Sequence, residues 1–485
     1  MFLLVIFLTS LVLCNGNDIS GDAAAASSSS TSSEPSTAPP STMPPLPTLP
    51  PSSPITSSIT YKVAAQRVSN QPILSKDMGS FWDFNYNAAL FQKDHEIGMI
   101  VQVQNLKNEN IPYEVGPSYL TLTNITFKNG QVYATPTTNI TMDLLLHTSP
   151  ACGIKDPRIA FMEGSNSSNL RYDASYNLFF TSNECQKTTL SAASTFKPFD
   201  SNGWSEIESN VLPLRSSSKS GAPLYASDEN KLEHDYLFWG DSISPPGGIG
   251  IALGQRGREG FEDFDSYLIK TREDYFDSER IEGGPSPLKL NTGDYLFLYN
   301  GARKGFHSVK PNWSMQFNLG YTVLAGADPT QVLDRSEYPL MSPTLDWEIG
   351  NSQKYLTPNV VFIGGLIPDP DGCQYVNVTD LLGSEYIDNA ECFFGVYNAA
   401  DSHLGAVRIV VSSDANITHP STTLTSTTTT TKKTSIMVPT STVRESSVSI
   451  TSPTPPPLTT TTTTSDANTK VLSFLGVLIV GILSI

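Results

Sequence analysis

The chain has little of what most catalytic signatures need. Only six histidines occur in 485 residues, and His95, His147, His234, His307, His403 and His419 are too scattered to form a metal-binding pair. There is no Gly-x-Ser-x-Gly elbow, no phosphate-binding loop and no His-Glu-x-x-His. Cys-x-x-Cys is also missing, which removes the usual thiolate metal site. No metal and no cofactor is expected. Basic charge is scarce as well: 30 Lys and Arg against 47 Asp and Glu give a net charge of −17. The two tails carry four basic and five acidic residues, so −16 of that charge falls on residues 60–416. Such a domain repels polyanions, and nucleic acid is not an expected partner.

Long apolar runs are confined to the two ends. Residues 1–14 are almost wholly apolar, and Asn15-Gly16-Asn17 breaks the run. That is the length of a signal-peptide core and too short to span a bilayer. No Lys or Arg precedes it. Residues 1–17 are therefore expected to be a signal peptide. Residues 18–59 are dominated by Ser, Thr, Pro and Ala, and 417–468 repeat the pattern with runs such as Thr427 to Thr431 and Thr459 to Thr464. Segments this poor in apolar residues cannot offset their chain entropy and are expected to be disordered; Ser/Thr with Pro also reads as an O-glycosylated stalk. Residues 469–485 end on a short apolar tail with no basic stop-transfer sequence and small residues upstream, as in a GPI-anchor signal. A short membrane-spanning tail is the alternative, although about 15 residues cover only part of a ~30 Å core. Either way, a membrane is an expected partner and the outer cell surface the expected location.

Five cysteines are few, and Cys14 leaves with the signal peptide. The other four, Cys152, Cys185, Cys373 and Cys392, suit two disulfides in an exported chain. Three pairings are open; Cys152–Cys185 and Cys373–Cys392 are favoured because short loops close most readily. Sequons stand at Asn124, Asn139, Asn166, Asn312, Asn377 and Asn416, consistent with N-glycosylation on exposed loops.

The 60–416 segment reads as all-β. Runs such as Ile97 to Gln104, Leu120 to Phe127, Asp294 to Tyr299, Asn359 to Ile363 and Gly405 to Val411 are rich in Val, Ile, Leu, Tyr and Phe and bounded by Gly, Pro, Asn and Asp. No long segment with helical periodicity follows the signal peptide. Many short strands over this length mean paired sandwiches or a propeller. Asp156, Asp241 and Asp401 each stand where a strand gives way to a turn. In a propeller, such residues from several blades converge on one channel. Carboxylates with aromatics suit a sugar site: carboxylates bind hydroxyls, an aromatic face supports the ring, and a pair of carboxyls can cleave a glycosidic bond.

Several segments together resemble glycoside hydrolase family 130, the β-mannoside phosphorylases and hydrolases. Ile154-Lys-Asp156-Pro-Arg158-Ile is similar to the family's Glu-Asp-Pro-Arg-Ile signature. Gly284-Pro-Ser-Pro-Leu-Lys289 followed by Gly293-Asp-Tyr-Leu-Phe-Leu-Tyr299-Asn300-Gly301 resembles its Gly-x-Pro-Pro-Ile-Lys and Gly-Trp-Leu-x-x-Tyr-His-Gly stretch. Tyr321 to Gly350, including Trp347-Glu348, resembles the next block, and Val396-Tyr-Asn-Ala-Ala-Asp401-Ser its closing strands; Asn87-Ala-Ala is a weaker echo of the first blade. The likeness covers roughly 80–411, with 186–280 matching poorly.

The resemblance implies a five-bladed β-propeller with its site in the central pocket, inversion of configuration, and a glycan or oligosaccharide as partner. It implies Asp156 as the catalytic acid with Arg158 as a positioning charge. It implies Glu348 as a second catalytic group that holds or activates, Asp401 as a group that binds sugar hydroxyls or assists, and Lys289 near the acceptor or phosphate. Tyr299 and Asn300 fall in the same motif and are further substrate-binding candidates, with the strand-end Asp241. Two departures stand out: Lys155 replaces the signature Glu, and Asn300 replaces a His tied to phosphate recognition. They favour water over phosphate as nucleophile. The expected function is inverting hydrolysis of β-mannosides at the cell surface. A glycan-binding propeller without turnover and a structural surface glycoprotein are the alternatives.

Overall fold

Two strand patterns divide the chain. Some strands are buried on both faces, as in Phe84–Lys93, where the first eight residues are all buried. Others alternate, as in Tyr119–Lys128, and keep one face toward water. The first kind packs at the centre and the second lies further out. The computed structural model describes residues 59–414, except 109–113, 145–149, 167–170, 186, 241–246, 257–259, 306–309, 311 and 351–354. The expected leader, stalk and apolar tail lie outside these residues, as does nearly all of the 18–59 segment.

The described strands build a five-bladed propeller, each blade an antiparallel meander running outward from the axis. The first blade is Phe84–Lys93, Glu96–Gln104, Tyr119–Lys128 and Gln131–Ala134. The second is Ile154–Met162, Ser175–Asn183, Thr188–Thr195 and Ser205–Glu208. Lys219–Leu224, His234–Gly240, Gly248–Gln255 and Phe261–Lys270 form the third. The fourth is Arg280–Gly283, Tyr295–Lys304, Met315–Leu324 and Val332–Arg335, with Leu288–Lys289 also paired to its second strand. The fifth takes Val361–Pro368, Glu391–Ala399 and His403–Ser413 from the C-terminal side and its outermost strand, Tyr61–Arg67, from the N-terminal side. Tyr61 lies opposite Ser413 and Arg67 opposite Val407, so both ends of the domain are tied into one sheet. This pairing closes the ring and covers a strand edge that would otherwise be open.

The core lies in the seams between blades. Phe179 and Trp239 fill the seam of blades two and three, Phe238 and Phe297 that of three and four, and Leu298 and Ile363 that of four and five. Each such side chain contributes about 1.5–3 kcal/mol by leaving water. Both favoured disulfides form. Cys152–Cys185 has a Cα separation of 5.1 Å and Cys373–Cys392 one of 5.2 Å. The sequon residues Asn124, Asn139, Asn312 and Asn377 are exposed. Asn166 lies on the Ser165–Asn166 strand of a small hairpin, and Asn416 lies outside the described residues.

Candidate active site

The inner strands of the first three blades each bulge near their start. Register slips between Tyr86 and Ala88, between Lys155 and Arg158, and between Lys219 and Ala222. At each slip sits a residue in the left-handed region: Asn87 at φ 43°, Asp156 at φ 55° and Ser220 at φ 50°. Few residues other than glycine adopt this conformation, although Asn and Asp tolerate it best. Bulges of this kind re-aim a side chain and gather near active sites. Asp401, in the turn before the strand His403–Ser413, is also left-handed, at φ 48°.

These bulges bring together groups far apart in sequence. Asn87 donates through Nδ2 to Asp156 Oδ1 at 2.8 Å and to Gln102 Oε1 at 3.1 Å. The Asp156 backbone N–H donates to the same Gln102 oxygen at 3.0 Å. Thr181 donates its hydroxyl to Asp156 Oδ2 at 3.4 Å. From the fifth blade, Asn398 Nδ2 donates to Asn87 Oδ1 at 3.2 Å and to Asp401. Asp156 and Asp401 are thus joined through two amides, Asn87 and Asn398. Asp156 is 8% exposed. Burial raises the Asp401 carboxyl above its ordinary value, and the negative charge of Asp156 adds to that; Thr357, Asn398 and Lys310 oppose it. Lys310 is itself pushed down by burial, with Asp401 pulling the other way, and donates to Thr357 Oγ1 at 3.2 Å.

Beneath this cluster Arg158 crosses the axis. It is fully buried and donates to Pro157 O at 2.8 Å, Gly283 O at 2.9 Å and Gly284 O at 2.6 Å. Its guanidinium links the second blade to the fourth through backbone carbonyls. Gly364 leaves room for it: a Cβ there would meet Arg158 at 3.2 Å and Ala88 O at 2.7 Å. Arg158, expected as a positioning charge beside the acid and a substrate-binding candidate, spends its guanidinium on backbone carbonyls and ties the blades across the channel. Nearby, Glu282 of the fourth blade pairs with Lys219 of the third at 2.8 Å. Burial raises this carboxyl, but Lys219, Arg280 and Arg158 together hold it below its ordinary value.

Other sequence candidates lie elsewhere. Glu348 is fully buried and saturated: Arg67 reaches both its oxygens at 2.7 and 2.8 Å, Tyr397 donates at 2.8 Å, and the backbone N–H groups of Thr344 and Leu345 donate at 2.8 and 3.1 Å. It joins the closing strand to the helix Asp346–Ile349 and has no oxygen left for chemistry. Tyr299 donates to Asp277 Oδ2 at 2.8 Å in a knot with Arg272 and Arg335; burial pushes its hydroxyl up to about 12. Asn300 mimics a strand partner, accepting from Ile363 N at 2.7 Å and donating to Ile363 O at 3.0 Å. Lys289 is exposed, with Glu229 at 3.9 Å. Asp241 lies outside the described residues. Conversely, Thr181, Ser220, Lys310 and Thr357 carry no motif, and only the structure shows them near the pair.

A five-bladed propeller that joins a buried and a half-buried carboxyl through amides of its first and fifth blades defines the structural class. No family model matches the chain. The chain is 29% identical over 134 residues to a beta-1,2-mannobiose phosphorylase of Thermoanaerobacter sp. (strain X514), covering 28% of this chain and 33% of the relative. It spans about a third or less of the length of the curated relatives it matches. Its fold is similar to that of a beta-1,2-mannobiose phosphorylase from Listeria innocua, solved with beta-1,2-mannobiose, at a TM-score of 0.51 and 16% identity over 71% of this chain and 96% of that one. A second solved structure is of family 130, whose mannoside phosphorylases include glycoside hydrolases that target beta-1,2 mannosidic linkages in Candida mannan. It aligns at a TM-score of 0.48 and 18% identity over 67% of this chain and 84% of that one. The likeness to beta-1,2-mannobiose phosphorylases thus appears in a stretch of the sequence and, for one solved structure, in the fold.

Proposed function

We propose that this protein is an inverting glycoside hydrolase of β-mannosides, carried on the outer cell surface as a glycosylated, membrane-attached chain. The observation that carries the reading is the pair of carboxyls, Asp156 and Asp401, joined through Asn87 and Asn398 on the propeller axis. Inversion needs two carboxyls with room between them for substrate and water. Burial and the like charge of Asp156 favour the neutral form of Asp401, and the reaction is written for a pair that carries one proton. In the productive state that proton sits on Asp156, the acid of the resemblance. As the anomeric C–O bond breaks, the proton passes to the leaving oxygen. Water attacks the opposite face of the anomeric carbon and gives its proton to Asp401. The pair starts and ends with one proton.

Water is favoured over phosphate because Asn300, at the position tied to phosphate recognition, is committed to the Ile363 backbone. The test is hydrolysis of β-1,2-mannobiose by the full-length protein, with and without inorganic phosphate. Mannose release without phosphate, abolished by Asp156→Asn, supports the reading; product formed only with phosphate makes the protein a phosphorylase. A glycan-binding propeller without turnover is the second reading, favoured by the two side-chain donors already held by Asp156. Mannobiose binding with no release under either condition selects it.

A further inference from the structure

Buried polar atoms almost always find a partner, and those that do not call for a reason. Two orphans flank Asp156. Asn398 is 1% exposed and its Oδ1 has no partner; Ser220 is wholly buried and its Oγ has none. The orientation of Asn398 is fixed by its surroundings. Asn87 must point Nδ2 at the Asp156 carboxyl and at Gln102 Oε1, which leaves Asn87 Oδ1 as an acceptor. Asn398 meets that acceptor and the Asp401 carboxyl with Nδ2, so its unpaired atom is the carbonyl. Ser220 adjoins the pair on the other side. Its backbone N–H donates at 3.3 Å to Thr181 Oγ1, the hydroxyl that also bonds Asp156 Oδ2. The left-handed bulge that places Ser220 is a strained conformation for a residue with a side chain, and such strain gathers at ligand clamps.

We propose that Asn398 Oδ1 and Ser220 Oγ are the specificity-determining contacts of this site. They take two free ring hydroxyls of the sugar that presents its glycosidic oxygen to Asp156. This rests on the carbohydrate reading above. Asn398, an acceptor only at this atom, requires a hydroxyl that donates; Ser220 can give or receive. Both wait without a partner until the sugar arrives, so a sugar lacking either hydroxyl leaves a buried polar atom unpaired and is rejected.

Ser220→Gly separates this role from folding. Glycine adopts φ 50° without strain, so the variant should unfold at the same temperature as the wild type or above it. Its affinity for β-1,2-mannobiose, by calorimetry on the full-length protein, should fall about tenfold. Across a series of monodeoxy β-mannosides, one analogue should bind wild type and Ser220→Gly equally, because it lacks the hydroxyl that Ser220 holds. Asn398→Ala should single out a different analogue in the same way. Wild-type binding that is unchanged within twofold by Ser220→Gly, or a deoxy series with no such analogue, overturns the assignment. A wild-type protein that neither binds nor cleaves mannobiose fails before any variant is compared, and then the carbohydrate reading falls and this inference with it.

Discussion

Two carboxyl regions stand on the same propeller in opposite surroundings. Glu348 accepts five hydrogen bonds, from Arg67, Tyr397 and two backbone N–H groups. Asp156 and Asp401 are joined through two amides, with the negative charge of Asp156 adding to the rise of the Asp401 carboxyl and with orphan polar atoms beside them. A saturated carboxylate paired with a guanidinium is held in one place. A carboxyl pair short of counter-charge can hold, give and regain a proton. The number and charge of the donors, rather than burial, separates the saturated carboxylate from the pair proposed to do the chemistry.

The sharpest way to break this contrast is Asp156→Asn. It should lower turnover of β-1,2-mannobiose by about 10²–10⁴-fold with the unfolding temperature little changed, as steady-state kinetics and calorimetry would show. Arg67→Ala should do the reverse. It leaves Glu348 charged and buried without its partner, so denaturant unfolding should show a loss of about 3–5 kcal/mol while turnover persists in the folded fraction. Asp401→Asn sharpens the comparison further, because it should lower turnover yet stabilise the fold at neutral pH by about 1 kcal/mol. The sign follows from the raised carboxyl: the folded state holds this proton more tightly than the unfolded chain does. The stability it gives is fully present below the ordinary carboxylate range and is lost as pH rises through the raised value. The advantage of Asp401→Asn should therefore grow from acid to neutral pH in a series of thermal melts. Lys289→Ala, on an exposed lysine, should move stability by less than about 0.5 kcal/mol and turnover by less than about twofold.

Much of this was legible in the sequence. The all-β class followed from short runs of β-branched and aromatic residues, and both disulfides from loop length. Asp156 and Asp401 stand out in the sequence as strand-end carboxylates, and the structure joins them through Asn87 and Asn398. The sequence could not separate Glu348 from them, because its partner Arg67 lies on a strand 281 residues away that closes the ring. Tyr299 and Asn300 sit on a strand that fits a sugar-site motif, but their side chains turn into the seams toward Asp277 and Ile363. Arg158 follows the signature, yet its direction depends on the bulge at Asp156 and on space left by Gly364, which belongs to another blade. Ser220 and Asn398 were beyond reach for the same reason: a one-residue slip in register decides which face a side chain takes.

The most direct test of the contrast sets wild type, Asp156→Asn and Glu348→Gln side by side on β-1,2-mannobiose, reading mannose release and unfolding temperature for each. Asp156→Asn should be inactive and stable, and Glu348→Gln active but less stable. An active Asp156→Asn beside a stable, inactive Glu348→Gln would contradict it and move the chemistry to the seam.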